Sequence, residues 1–438
     1  MPVITFKFLI ALVIFILTYG VLAFRNVRGW KVPIWLILLV GATAMVASGC
    51  ITVAEAYKAV DLHVLLFLFS MFTLVTALDI AGVLDLFTTK LILRARKPED
   101  VLYLTFFGFA AASALLMNDT LALMGTPVMI SLARKMRIPA KPLLLTLAFA
   151  VTIGSMLTPM GNPQNLLVAL ASGMQAPVFA FARYLLIPTI VNLGLSYFLL
   201  RYLFKHDFVD ARKNFHELVE FEATVQKDVL KDVRMAKLAL LITGLTIVGI
   251  FIVNFLEEVG VATSFGIAEV SLFGAVLLLV FCRRGREVIQ SIDWGILVLF
   301  GSLFVFTQAV WNNGIIEAVA TYLPPINTGS PHTYVAAILI PSIFLSQILS
   351  NVPMVALYIP LLKSLGFGPQ NNLAWIALGA GSTLAGNLTL LGAASTLIIV
   401  EEAEREGQTV GFFDFLKVGI LITVVTATIL YLALVLGT

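Results

Sequence analysis

VLYLTFFGFAAASALLMNDTLALMGTPVMISL, Val101 to Leu132, is bounded by two basic clusters: Arg94, Arg96 and Lys97 before it, and Arg134, Lys135, Arg137 and Lys141 after it. Lys and Arg clusters mark the cytoplasmic side of a membrane chain, so both ends of the stretch are expected on one side. Roughly 33 mostly apolar residues are short for two complete crossings at about 20 each, yet enough for two half-depth helices. The stretch is therefore predicted to be a re-entrant hairpin that enters and leaves by one face. Its tip falls at Asn118-Asp119-Thr120.

The rest of the chain suits the same solvent. Of its 438 residues 60% are hydrophobic and 12% charged, far from the composition of a soluble domain. Apolar runs long enough to span hydrocarbon cover Val3 to Phe24, Val32 to Ile51, Leu238 to Leu256, Trp294 to Trp311 and Phe412 to Leu436. Unpaired peptide groups cost several kcal/mol each in lipid, which leaves helices or closed barrels, and runs this long exclude a barrel. An all-α membrane protein follows. Arg25, Arg28 and Lys31 directly after the first run make it a first span, not a cleaved leader.

A repeat organises these runs. Adding 232 carries Asp61 to Asp293, and Ala81-Gly82-Val83-Leu84-Asp85 to Asn313-Gly314-Ile315-Ile316-Glu317. With one residue of drift Asn118 falls on Asn351, Pro127 on Pro360, Gly154 on Gly386 and Gly161 on Gly392. Residues 1–204 are thus expected to form a first repeat and 237–438 a second. Residues 205–236, rich in both charge signs, read as a cytoplasmic linker. Continuing the basic-residue bookkeeping puts Ala171 to Val178 and Glu257-Glu258 outside and Arg283, Arg284 and Arg286 inside. The second hairpin, tipped by Ser350-Asn351-Val352-Pro353, then enters from the opposite face. The expectation is two inverted repeats of about five crossings each, each with a re-entrant hairpin and a broken helix, and both termini outside. A prokaryotic inner (plasma) membrane is the expected location.

Transporters of this construction bind solute where helices are interrupted at mid-membrane. Four interruptions stand out. Two are the hairpin tips, contributing Asn118, Asp119, Thr120, Ser350 and Asn351. The third is Thr158-Pro159-Met160-Gly161-Asn162-Pro163-Gln164-Asn165, whose two prolines lack an N–H and force unwinding. The fourth is Gly386 to Thr396, with Asn387, Thr389, Gly392, Ser395 and Thr396. Unwound carbonyls coordinate a cation, helix-start N–H groups attract an anion, and Asn, Ser and Thr add neutral donors and acceptors. A single such break is ordinarily only a kink; four related by one repeat point to a binding site. Asp119 is the sharpest residue, since a carboxylate at mid-depth costs about 2.5 to 3.5 kcal/mol and is expected to face a polar cavity. Capping the helix that follows is the competing role. Sodium at Asn118, Asp119 and Asn351, or a proton on Asp119, is the expected coupling ion.

Other classes lack support. There is no Walker sequence, dinucleotide fingerprint or HExxH, and no nucleophile with a base partner, so neither nucleotide hydrolysis nor enzyme catalysis is expected. Cys50 and Cys282 show no metal or disulfide spacing. No cofactor and no nucleic-acid partner are expected; the partners are a small inorganic solute and the bilayer.

Asn118-Asp119 followed by Ala122-Leu123 and Thr126-Pro127 resembles the hairpin of arsenite permeases, and Ser350-Asn351-Val352-Pro353 that of NhaD-type sodium/proton antiporters. With Gly386-Asn387-Leu388-Thr389 and Gly392-Ala393-Ala394-Ser395, the chain resembles the ion transporter superfamily, specifically this branch with a citrate-transporter-like domain. The resemblance covers nearly the whole chain. It implies scaffold and transport regions in each protomer, a homodimer, an elevator-like movement, and secondary transport of arsenite or a related oxyanion driven by protons or sodium. Sodium/proton antiport is the alternative, and a non-transporting receptor or scaffold is the alternative from another class. Divalent anion/sodium symporters carry Ser-Asn-Thr at both tips; Met117-Asn118-Asp119 and Ser350-Asn351-Val352 depart from that pattern and point away from dicarboxylates.

Overall fold

A computed structural model of the chain describes residues 6–24, 32–208, 230, 232–261, 263, 265–320, 326 and 330–436. The described residues are helical, with no strand among them. In the first half come α1 (Phe6–Phe24), α2 (Ile34–Ala47), α3 (Val53–Ala59), α4 (Leu62–Ile80), α5 (Val83–Arg94), α6 (Pro98–Leu115), α7 (Asn118–Met136), α8 (Ala140–Ser155), α9 (Pro163–Ser172) and α10 (Pro177–Leu203). The second half has α11 (Val233–Glu258), α12 (Ile267–Phe281), α13 (Gly285–Ser291), α14 (Trp294–Asn312), α15 (Ile315–Ala320), α16 (Pro331–Leu349), α17 (Asn351–Ser364), α18 (Asn372–Leu384), α19 (Ala394–Arg405) and α20 (Phe412–Leu436). Six of these, α4, α10, α11, α14, α16 and α20, are long and apolar enough to cross a membrane. Most of the expected linker at 205–236 lies outside the described residues; α11 begins within its final positions.

Helix order follows the offset seen in the sequence. From the pair α2 and α12 to the pair α10 and α20, starting residues lie 231 to 235 positions apart, as in Asn118 against Asn351 (351 − 118 = 233) and Pro163 against Ala394 (394 − 163 = 231). Capped helices begin at matching points: α4 is capped by Asp61, whose carboxylate accepts from the His63 and Val64 N–H groups, and α14 by Asp293, which accepts from Gly295 N–H.

Both hairpins turn where expected. Leu116 and Met117 separate α6 from α7, and Ser350 alone separates α16 from α17. The arms exceed the predicted half-depth: α6 has 18 residues and α7 has 19, about 27 and 28 Å at 1.5 Å per residue. The reason is that the flanking charges are helical. Glu99 and Asp100 form the first turn of α6, and Arg134 and Lys135 the last turn of α7. Ser350 turns with φ 65 and ψ 159, a conformation otherwise left to glycine.

The broken helices also appear. Residues 156–162 separate α8 from α9, and a 3-10 turn at Ala385–Asn387 begins the break between α18 and α19. The halves then interlock crosswise. α9 of the first half packs on the hairpin helix α17 of the second, while α19 of the second half packs on the hairpin helix α7 of the first. This exchange brings four breaks that are far apart in sequence to one place.

Candidate functional site

A cavity of about 660 Å³ is bordered by Asp119, Pro163, Val352 and Ala394. Each lies in the first turn of a helix that starts at a break: α7, α9, α17 and α19 respectively. Four helix N-termini, each carrying a partial charge of about +0.5, therefore converge on one space. Two carboxylates face them there, Asp119 and the α14 cap Asp293. The α2 and α14 N-termini border it too, through Ile34 and Gly295, so several helix-end partial charges of about +0.5 each act against the two acids. Along α19 the wall continues through Glu401 and Glu404 to Arg405. Eleven residues separate Ala394 from Arg405, so the cavity reaches about 16 Å from its inner end to its mouth. That mouth lies beside Glu406, which Arg134 holds at 3.2 Å, and thus on the face of the basic clusters. Trp35 and Phe300 complete the opposite wall.

Asp119 does not serve as a cap. The position before the helix is Met117, which makes no side-chain cap bond, and Asp119 is 6% exposed at the cavity wall.

All fifteen residues singled out in the sequence are buried, but they divide by what their polar atoms do. In the first break most are committed to the loop. Asn165 Nδ2 donates to the carbonyls of Ser155, Met156 and Thr158 at 3.2 to 3.3 Å. Asn162 Oδ1 accepts from Asn165 N–H at 2.8 Å, and its Nδ2 donates to Ser155 O and Thr383 Oγ1. Thr158 Oγ1 donates to the Ala114 carbonyl of α6 and accepts from Gly161 N–H. These side chains do for the unwound carbonyls what helix N–H groups do elsewhere. Gly161 is required by space: a Cβ there would strike the Ser155 carbonyl, and at Gly392 one would strike the Ala385 carbonyl. Thr389 Oγ1 is held by Gln347 at 2.7 Å, and Asn351 Oδ1 accepts Val352 N–H at 3.0 Å. Ser350 is spent on the turn and Thr120 on the first turn of α7.

The other group keeps unmet hydrogen-bonding capacity. Asn118 N–H donates to the Gly161 carbonyl at 2.8 Å and its Nδ2 to Ser395 Oγ at 3.3 Å, joining hairpin tip to both broken helices, while its Oδ1 has no partner among the described residues. Asn387 is fully buried, with neither side-chain atom bonded. Gln164 Oε1 is likewise unpartnered, although its Nε2 reaches Thr383. Thr396 Oγ1 bridges the break to the Gly386 carbonyl at 3.3 Å. Buried amide atoms without partners are costly unless something else satisfies them, and their concentration at the breaks suits a polar solute. Of two further charged residues in the apolar part of the chain, Glu269 accepts from Gly266 N–H and pairs with His63, and Arg183 is exposed.

Sequence reasoning missed Asp293, Glu401, Glu404 and Arg405. Asp293 had a signal, its repeat relation to Asp61; the α19 charges had none, because only tertiary packing turns them toward the cavity.

A family model described as "Citrate transporter" matches residues 10–381. The chain belongs to that family. Among curated relatives, a 46 kDa membrane protein of Mycobacterium leprae is 28% identical, the match covering 95% of this chain and 96% of that one. A putative transporter arsB of Dictyostelium discoideum is 24% identical over 89% and 85% of the two chains, and a silicon efflux transporter of Oryza sativa subsp. japonica 25% over 84% of each. Among solved structures, the YdaH transporter of Alcanivorax borkumensis superposes with a TM-score of 0.52 at 13% identity, covering 99% of this chain and 98% of that one, which shows the fold alone. This chain is accordingly an integral membrane transporter of the citrate transporter family, within the ion transporter superfamily.

Proposed function

We propose that the protein is a secondary transporter of a small, uncharged, hydroxyl-bearing inorganic acid, arsenite as undissociated arsenous acid or silicic acid, exchanged for protons or sodium. The observation that carries this is the lack of a cationic excess at the cavity: its helix N-termini and Arg405 act against four acids, Asp119, Asp293, Glu401 and Glu404. A multiply charged anion such as citrate would meet four carboxylates and a single arginine on its way in, an arrangement that repels it. Asn118 and Asn387 do not line the cavity, but their buried, unpartnered amide atoms lie at the breaks that end on it and are the groups a neutral polyol-like solute would use on moving inward. The names of two relatives, one for silicon efflux and one arsB, support the same class.

Asp119 is the coupling group. It borders the same cavity as Asp293, the cap of α14, so a proton or cation bound at Asp119 and released on solute entry couples the two fluxes. Inverted repeats 1–204 and 237–438 about a cytoplasmic linker at 205–236, both termini outside, a prokaryotic inner membrane, a homodimer and an elevator-like movement complete the proposal.

The test is flux in proteoliposomes under an imposed pH or sodium gradient, with silicic acid, arsenite and citrate compared. Silicic acid or arsenite should move and citrate should not. Gradient-driven proton or sodium exchange with no solute added would favour antiport instead. Gradient-driven uptake of citrate, or no flux and no thermal shift with any of them, would overturn the proposal.

A further inference from the structure

A second cavity, of about 400 Å³, lies at the other end of the same three helices. α14 borders the first cavity with Gly295 to Phe300 and the second with Phe304 to Trp311. α17 borders the first with Val352 and the second with Ala356 to Lys363; α9 does so with Pro163 and then Leu167. Each pair of nearest residues, Phe300 and Phe304, Val352 and Ala356, Pro163 and Leu167, is four positions apart on a continuous helix. Only about 6 Å of protein therefore separates the two cavities. The Phe300 and Phe304 rings, 6.3 Å apart and edge to face, stand in that gap.

The two cavities are matched chemically as well. The first is edged by the cap of α14, Asp293, and the second by the cap of α4, Asp61, which the sequence repeat equates. In the second cavity Asp61 is balanced by Lys363, leaving no net charge. Thr307, 7% exposed, borders it, and its hydroxyl, buried behind the wall, has no partner among the described residues. Gln308 lies next to it on the same wall.

We infer that this second cavity is a binding site for the same solute class, a small uncharged hydroxylated acid, with Thr307 hydrogen-bonding it. It is the station on the far side of a barrier one helical turn thick, formed by Phe300 and Phe304. The inference rests on the transport proposal above.

The experiment is silicic acid flux through wild-type protein, Thr307→Val and Ala356→Trp in proteoliposomes, with melting temperatures recorded alongside. Thr307→Val is nearly isosteric; it should raise the half-saturating silicic acid concentration about fivefold, the worth of one lost hydrogen bond, at unchanged melting temperature. Ala356→Trp fills the second cavity and should stop flux while silicic acid still shifts the melting temperature through the first cavity. Wild-type flux with both variants transporting like wild type would overturn the inference and leave the transport proposal standing. No silicic acid flux through wild type, with arsenite carried, would overturn only the choice of solute; no flux of either would sink both.

Discussion

At the residue scale the buried amides fall into two populations with opposite consequences for substitution. Asn165→Ala removes the donor shared by three unwound carbonyls and should cost about 1 to 3 kcal/mol, read as a lower melting temperature in detergent. Asn387→Ala removes no bond to the described residues, so the melting temperature should hold within a degree or two while flux falls at least tenfold. Equal destabilisation by both changes would show that Asn387 is structural too. Ser350 offers a third measurement. Its glycine-like φ is a strain of about 1 kcal/mol, so Ser350→Gly should raise stability by that order. Asp119→Asn keeps the shape of the cavity wall but removes the carboxylate, so the variant's flux should lose the pH dependence that the proposed coupling gives the wild type. A variant with the wild-type pH profile would move coupling away from Asp119.

At the element scale, what ties hairpin to broken helix is partly packing and partly ion pairs at the membrane face. Lys141 at the start of α8 meets Asp414 at the start of α20 at 2.7 Å, and Arg134 meets Glu406 at 3.2 Å. Both pairs are about half exposed, so Lys141→Ala should change stability by no more than about 1 kcal/mol, and less at high salt. Gly161→Ala and Gly392→Ala are the stronger perturbations. A methyl group driven into a backbone carbonyl should cost about 1 to 3 kcal/mol or block assembly, and normal expression and melting of either variant would contradict the observed packing.

The elements were largely legible in the sequence because their causes are local. Pro159 and Pro163 cannot continue a helix, and Asn118 and Asn351 start helices at the same point of the repeat. Arm length was not legible, since Glu99, Asp100, Arg134 and Lys135 look like loop charges until they are seen in helical turns. Nor was the outer part of the site. A glutamate four residues before an arginine near a helix end, as Glu401 and Arg405 are, reads as a solvated face; the crossing of α19 over α7 is a contact between positions more than 250 residues apart. Asp119 stood out because a carboxylate at mid-depth against lipid is too costly, and it borders the first cavity.

At the scale of the whole molecule, two halves with matched helix order exchange partners so that the broken helix of each lies on the hairpin of the other. Neither half can assemble the cavity alone: Asp119 and Pro163 come from one, Val352, Asp293 and Ala394 from the other. In the elevator-like movement proposed above, one hairpin and the opposite broken helix travel together and carry solute past the Phe300–Phe304 step without opening a continuous channel.

The most direct measurement is a paired-cysteine cross-link between the halves. Asn118 and Ser395, 277 positions apart, are in side-chain contact at 3.3 Å. Protein carrying Asn118→Cys and Ser395→Cys, expressed and folded, should form a reducible disulfide under mild oxidation that neither single variant forms. Failure to cross-link in well-folded double variant would mean that the first hairpin and the second broken helix do not meet, and the shared cavity would be lost with them.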